Sequence, residues 1–194
     1  MKLICLILFL GALPAVGADT VPLKTFWSKT YGFELDHPAD FLVKESKGVK
    51  GKFLWRVSFY ADPADTEPCF MVEARPLKAL RIDVKSLGYY LYGPKKNEWR
   101  LEPGYNKESL SRLSLSYLTP ARIPVYSSLH SMANAYRDDT ILTDKGYALE
   151  LHYSNATRRA GADKLNDSLA ASFRLIGIKA REAKIIAPPP PKDE

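Results

Sequence analysis

Tyr147-Ala148-Leu149-Glu150-Leu151-His152-Tyr153 is the stretch on which the fold turns. Tyr147, Leu149, Leu151 and Tyr153 alternate with Glu150 and His152, the period of a strand with one apolar and one polar face. Thr143-Asp144-Lys145-Gly146 precedes it, with glycine where a positive φ is wanted, so residues 133–142 become the first arm of a hairpin. Further back, residues 53–61 alternate Trp55, Val57 and Phe59 against Arg56 and Ser58, and residues 69–74 read as another strand. The Asp- and Pro-rich turn at 62–68 between them predicts an antiparallel pair. In residues 31–38, Tyr31, Phe33 and Leu35 alternate with Glu34 and Asp36 until Pro38 ends the run. An antiparallel sheet is therefore the expected centre of the molecule.

Shorter extended pieces are expected at 41–45, 113–117 and 123–127. Two helices are expected to cover the sheet. Asp163 caps one in which Leu165, Leu169 and Phe173 recur every four residues. Leu77, Leu80, Val84 and Leu87 follow helical spacing and predict the other over 77–87, although Ile82 and Val84 also suit a strand; residues 108–112 suit a short helical turn. Residues 22–30 read as a lead-in, and Pro188-Pro189-Pro190-Pro191 marks an extended, disordered tail.

At the N-terminus, Lys2 is followed by an apolar run over 3–10 and by small residues at Ala15-Val16-Gly17-Ala18. The run is shorter than the roughly 20 residues a membrane-spanning helix needs, and it predicts a secretory signal peptide over 1–18 with no lipidated cysteine. The expected organisation is a lead-in at 19–30, one domain at 31–178 and a Pro-rich tail at 179–194. The protein is then periplasmic or secreted, and the mature chain carries no transmembrane segment. Of two cysteines, Cys5 falls in the leader, which leaves Cys69 without an intramolecular partner and expected as a buried strand thiol. The net charge of +6, or +5 once Lys2 is removed, is spread over short clusters. That pattern fits a solvated surface and excludes the dense basic stripe of a nucleic-acid binder.

No nucleophile elbow, paired-histidine zinc motif or phosphate-binding glycine loop is present, and His37, His130 and His152 are scattered. Ser127-Ser128-Leu129-His130-Ser131 places hydroxyls beside a histidine without making a triad. Glu150 and His152 share one strand face, and Asp138-Asp139 on the partner arm can add oxygen ligands, yet no full ligand set for a metal is evident and no cofactor is expected. The densest aromatic stretch, Tyr89, Tyr90, Tyr92, Trp99 and Tyr105 with Lys95, Lys96 and Arg100, has two readings. It is either an exposed surface for an acidic partner or a glycan, or a set of rings that closes the core under a long loop.

Two segments resemble one known family. Tyr31-Gly32-Phe33-Glu34-Leu35-Asp36-His37-Pro38-Ala39-Asp40-Phe41 resembles the opening strand of the PsbP-like and Mog-like superfamily. Gly146-Tyr147-Ala148-Leu149-Glu150-Leu151-His152-Tyr153-Ser154 with Leu169-Ala170-Ala171-Ser172-Phe173-Arg174 is similar to its closing strand and helix. The resemblance implies an α+β fold, a curved antiparallel sheet flanked by helices as an α/β/α sandwich. Better-known members are non-enzymatic: extrinsic subunits that dock on a membrane photosystem, and a binder of a small GTPase. The expectation is a non-catalytic accessory or binding protein of the cell envelope, meeting an envelope protein or a cell-wall glycan. A small-ligand or divalent-metal carrier is the alternative, and a hydrolase assembled without a local motif comes third.

Overall fold

A computed structural model describes residues 22–50, 52–83, 89–102, 113–118, 120–130, 136–154 and 162–186. The expected signal peptide and Tyr105 lie outside these residues. The chain forms β1 (Leu23–Ser28), β2 (Phe33–Pro38), β3 (Leu42–Val49), β4 (Phe53–Tyr60) and β5 (Phe70–Pro76). A 3₁₀ turn at Leu77–Ala79 leads to β6 (Arg81–Asp83), β7 (Tyr89–Gly93), β8 (Glu98–Leu101), β9 (Leu113–Leu118) and β10 (Ile123–His130). The expected hairpin is β11 (Tyr136–Thr143) and β12 (Tyr147–Tyr153), followed by α1 (Ala162–Ser172), β13 (Arg174–Leu175), β14 (Ala180–Arg181) and β15 (Lys184–Ile186).

The largest sheet runs β3-β4-β5-β12-β11-β10-β9, with β14 added on β11, and all its pairs are antiparallel. Its register puts Leu142 opposite Ala148 across the turn. Gly146 has φ +83 with open space around it, so the turn needs glycine for its backbone and not for room. One face of this sheet carries Val57, Phe59, Val72, Ile141, Leu149 and Leu151. It buries them against Phe33 and Leu35 of the β1-β2-β13 sheet and against Leu169 and Phe173 at α1. The rings of Phe33 and Phe173 stack at 5.2 Å. Cys69 is buried here as expected: its thiol donates to the Phe59 carbonyl at 3.2 Å, and burial pushes its pKa up to about 11.

The other face departs from expectation and corrects the fold class. Among the described residues it is covered by a four-stranded sheet, β15-β8-β7-β6, and not by a helix. Tyr90, Tyr92 and Trp99 of that sheet pack on Tyr126, Leu142 and Ala148. The molecule is a β-rich stack of sheets with one α-helix among the described residues, so the α/β/α sandwich flanked by helices does not hold. Of the helix expected over 77–87, residues 77–83 form a 3₁₀ turn and then β6, which pairs with β7 at Ile82 and Tyr90, while 84–87 lie outside the described residues. Pairing with β7 satisfies the backbone of this β-branched segment, and its helical spacing of leucines yields to that tertiary contact. The chain past 179 also holds strands: β14 lies on β11, and β15 runs parallel to β8. No helix among the described residues is long and apolar enough to cross a membrane.

Candidate functional site

The second face of the large sheet carries an array of polar side chains set by strand register. Directly opposed residues on neighbouring strands point to the same face. One row runs Arg56, Glu73, Glu150, Thr140 across β4, β5, β12 and β11. The next runs Met71, His152, Asp138, Ser128 across β5, β12, β11 and β10. Arg75, two residues from Glu73, flanks the first row. Among the described residues the sheet is not fully capped here, and a cavity of about 230 Å³ opens between it and the β6–β7 edge. Arg75, Arg81, Tyr89, Asp138, Glu150 and His152 are among its lining residues, with Ser128 and Thr140.

A compact ion-pair network forms the floor. Glu73, only 1% exposed, accepts from Arg56 Nε at 2.6 Å through Oε1 and from Arg75 Nε at 2.9 Å through Oε2. Arg75 Nε also reaches Glu150 Oε2 at 2.8 Å. His152 Nδ1 meets Asp138 Oδ1 at 2.6 Å. Its Nε2 lies 3.6 Å from Glu150 Oε2 and 3.8 Å from Glu73 Oε2, beyond hydrogen-bond reach, and has no hydrogen-bond partner. Burial alone would raise the Glu73 pKa, but His152 and Arg75 more than offset it and hold the carboxyl at about 2. Burial opposes charge on His152, yet the bond to Asp138 and the carboxylates of Glu150 and Glu73 win and raise it well above 6.5.

These charges decide what the site can do. Asp138, Glu150 and Glu73 all favour the protonated imidazole, which disfavours His152 as a general base. Register also puts Asp138 between Ser128 and His152, so the serine neighbours the carboxylate and not the imidazole. That order differs from a nucleophile–base–acid relay. The arrangement is a rigid, charge-paired floor beneath a small open cleft.

Glu150, His152 and Asp138, which the hairpin pattern singled out, do come together. Asp139 does not: it points to the opposite core, where Ser127 Oγ and Tyr153 Oη donate to it at 2.5 and 3.0 Å. His37 lies in that same core against the Phe59 ring and does not join His152. The aromatic stretch is a β7–β8 hairpin. Tyr90, Tyr92 and Trp99 are buried in the second core, and Trp99 contacts Tyr92 and Tyr126 at ring distances of 5.2 and 5.4 Å. Tyr89 is half-buried at the cleft, with the Arg81 guanidinium 4.7 Å over its ring. Sequence reading did not pick out Glu73 or Arg75. The available signal was their alternation with Val72 and Ala74, which marks charges on the second face of a buried strand.

No protein-family model matches the chain, and no curated protein matches it. Among solved structures, the chain is similar to the solution structure of cyanobacterial PsbP (CyanoP) from Synechocystis sp. PCC 6803. The TM-score is 0.43 at 13% sequence identity, over 86% of this chain and 98% of that one.

Proposed function

We propose that the protein is a non-catalytic binding protein of an extracytoplasmic compartment and that the cleft over His152 is its ligand site. The observation that carries this reading is a preformed polar cleft whose floor is already charge-paired, so a ligand meets fixed groups without reorganising them. The leader-like sequence at 1–18 supports the compartment. At about 230 Å³ the cavity has the volume of roughly seven or eight water molecules at about 30 Å³ each, and is smaller than sites for drug-sized molecules. A small polar solute fits, with an acidic group near Arg81 and hydroxyls toward Ser128 and Thr140.

A thermal-shift screen of small hydroxy acids, amino acids and sugar acids tests this. A ligand present at 100 times its Kd contributes about 2.7 kcal/mol. For a chain of this length that raises Tm by roughly 5–10 °C. The shift is expected to disappear in Arg81→Ala and in Ser128→Leu, which removes the cation and fills the cleft respectively. A shift that survives both substitutions places the ligand elsewhere and overturns the reading.

A further inference from the structure

The floor of the cleft holds a set of donors that point at one another. Glu73, Glu150 and His152 each offer a ligand atom, and these atoms lie within 4.8 Å of one another. His152 Nε2 stands 3.6 Å from Glu150 Oε2 and 3.8 Å from Glu73 Oε2. A tetrahedral zinc ion with bonds of about 2.0–2.2 Å separates its ligand atoms by roughly 3.3–3.6 Å. The observed edges exceed that by only a few tenths of an ångström. Backbone register fixes the set, because Glu73 opposes Glu150 and His152 follows two residues along the same strand.

Two further observations point to a cation. Nε2 of His152 is buried and has no hydrogen-bond partner. The other ring nitrogen is held by Asp138 at 2.6 Å, the carboxylate–imidazole arrangement that presents a histidine to a metal in one orientation. Glu150 and His152 also line the open cleft, so an ion can arrive from solvent.

We infer that Glu73, Glu150 and His152 bind a divalent first-row transition-metal ion, with Asp138 orienting the imidazole and Arg75 as the resident cation the metal competes with. One imidazole and two carboxylates suit zinc and its neighbours better than calcium or magnesium, which favour all-oxygen sets. Arg75 holds Glu73 Oε2 through two nitrogens, at 2.9 and 2.8 Å, and Glu150 Oε2 through one at 2.8 Å, so coordination has to displace the proton on His152 Nε2 and competes directly with the Arg75 guanidinium. The guanidinium also repels the incoming ion. The site lies in the proposed ligand cleft but does not depend on an organic ligand filling it.

Equilibrium dialysis of the purified full-length protein against Zn²⁺, with bound metal counted by atomic emission, tests the inference. The expected result is one zinc ion per chain, weakened about 10- to 100-fold by Asp138→Asn. His152→Ala weakens it at least as much, and Arg75→Leu tightens it. A thermal melt reports whether each variant folds; should His152→Ala unfold, Asp138→Asn decides. No uptake by the wild type, or uptake unchanged in both His152→Ala and Asp138→Asn, overturns the site. An organic-ligand thermal shift measured in chelator separates this failure from failure of the cleft as a ligand site.

Discussion

Glu73→Ala is expected to destabilise the protein by about 3 kcal/mol, the lower end of the cost of breaking a buried ion pair. The carboxylate is 1% exposed, but its partners Arg56 and Arg75 keep 35% and 30% of their side chains in solvent, which screens part of the loss. Arg75 would be left with Glu150 alone, and His152 would lose one of the carboxylates that hold its charge. At about 2–4 °C per kcal/mol for this length, Tm falls by roughly 6–12 °C. The sign with pH follows from the depressed pKa. Glu73 contributes stability above its ordinary value of 4.5, and that contribution is lost as pH falls through about 2. The gap between wild type and variant, measured by urea unfolding, therefore closes as pH drops through that window. A gap under about 1 kcal/mol at neutral pH would mean the network is ordinary surface charge.

Trp99→Ala carries the other large effect, a loss of about 3–5 kcal/mol, as for emptying any well-packed aromatic site. Its ring is fully buried between Tyr92 and Tyr126, where β8 closes the second core. The same cavity loosens Tyr126, whose hydroxyl donates to the Ala183 carbonyl at 2.7 Å and so ties the β14–β15 segment to the sheet. Chemical denaturation followed by near-UV dichroism reads the outcome. An unchanged midpoint would mean Trp99 is a surface ring and would return the aromatic hairpin to the role of a partner surface.

How much of this was legible follows from which contacts are local. The β11–β12 hairpin was readable because a glycine turn and a period-two pattern sit side by side, and its register alone brings Asp138 to His152. Glu73 and Arg75 were not readable as site residues. Their strand was evident, but nothing local says that β5 pairs with β12. The Tyr-rich stretch misled for a related reason. Tyr90 and Tyr92 alternate around exposed Leu91 as a strand does, yet only the sheet beneath them explains why two large polar-tipped rings are buried. The strands β14 and β15 span two and three residues, too few to show any periodicity.

His152 is expected to act as a charged clamp beneath the proposed binding cleft and not as a base. Following its Hε1 resonance by NMR over a pH titration, in metal-free protein, tests that most directly. The expected result is an imidazolium through neutral pH with a midpoint well above 6.5. The stability its charge contributes is then fully present below 6.5 and is lost as pH rises through that higher midpoint. A midpoint at or below 6.5 would leave a neutral imidazole facing the cleft at neutral pH, contradict the clamp and make His152 available as a base.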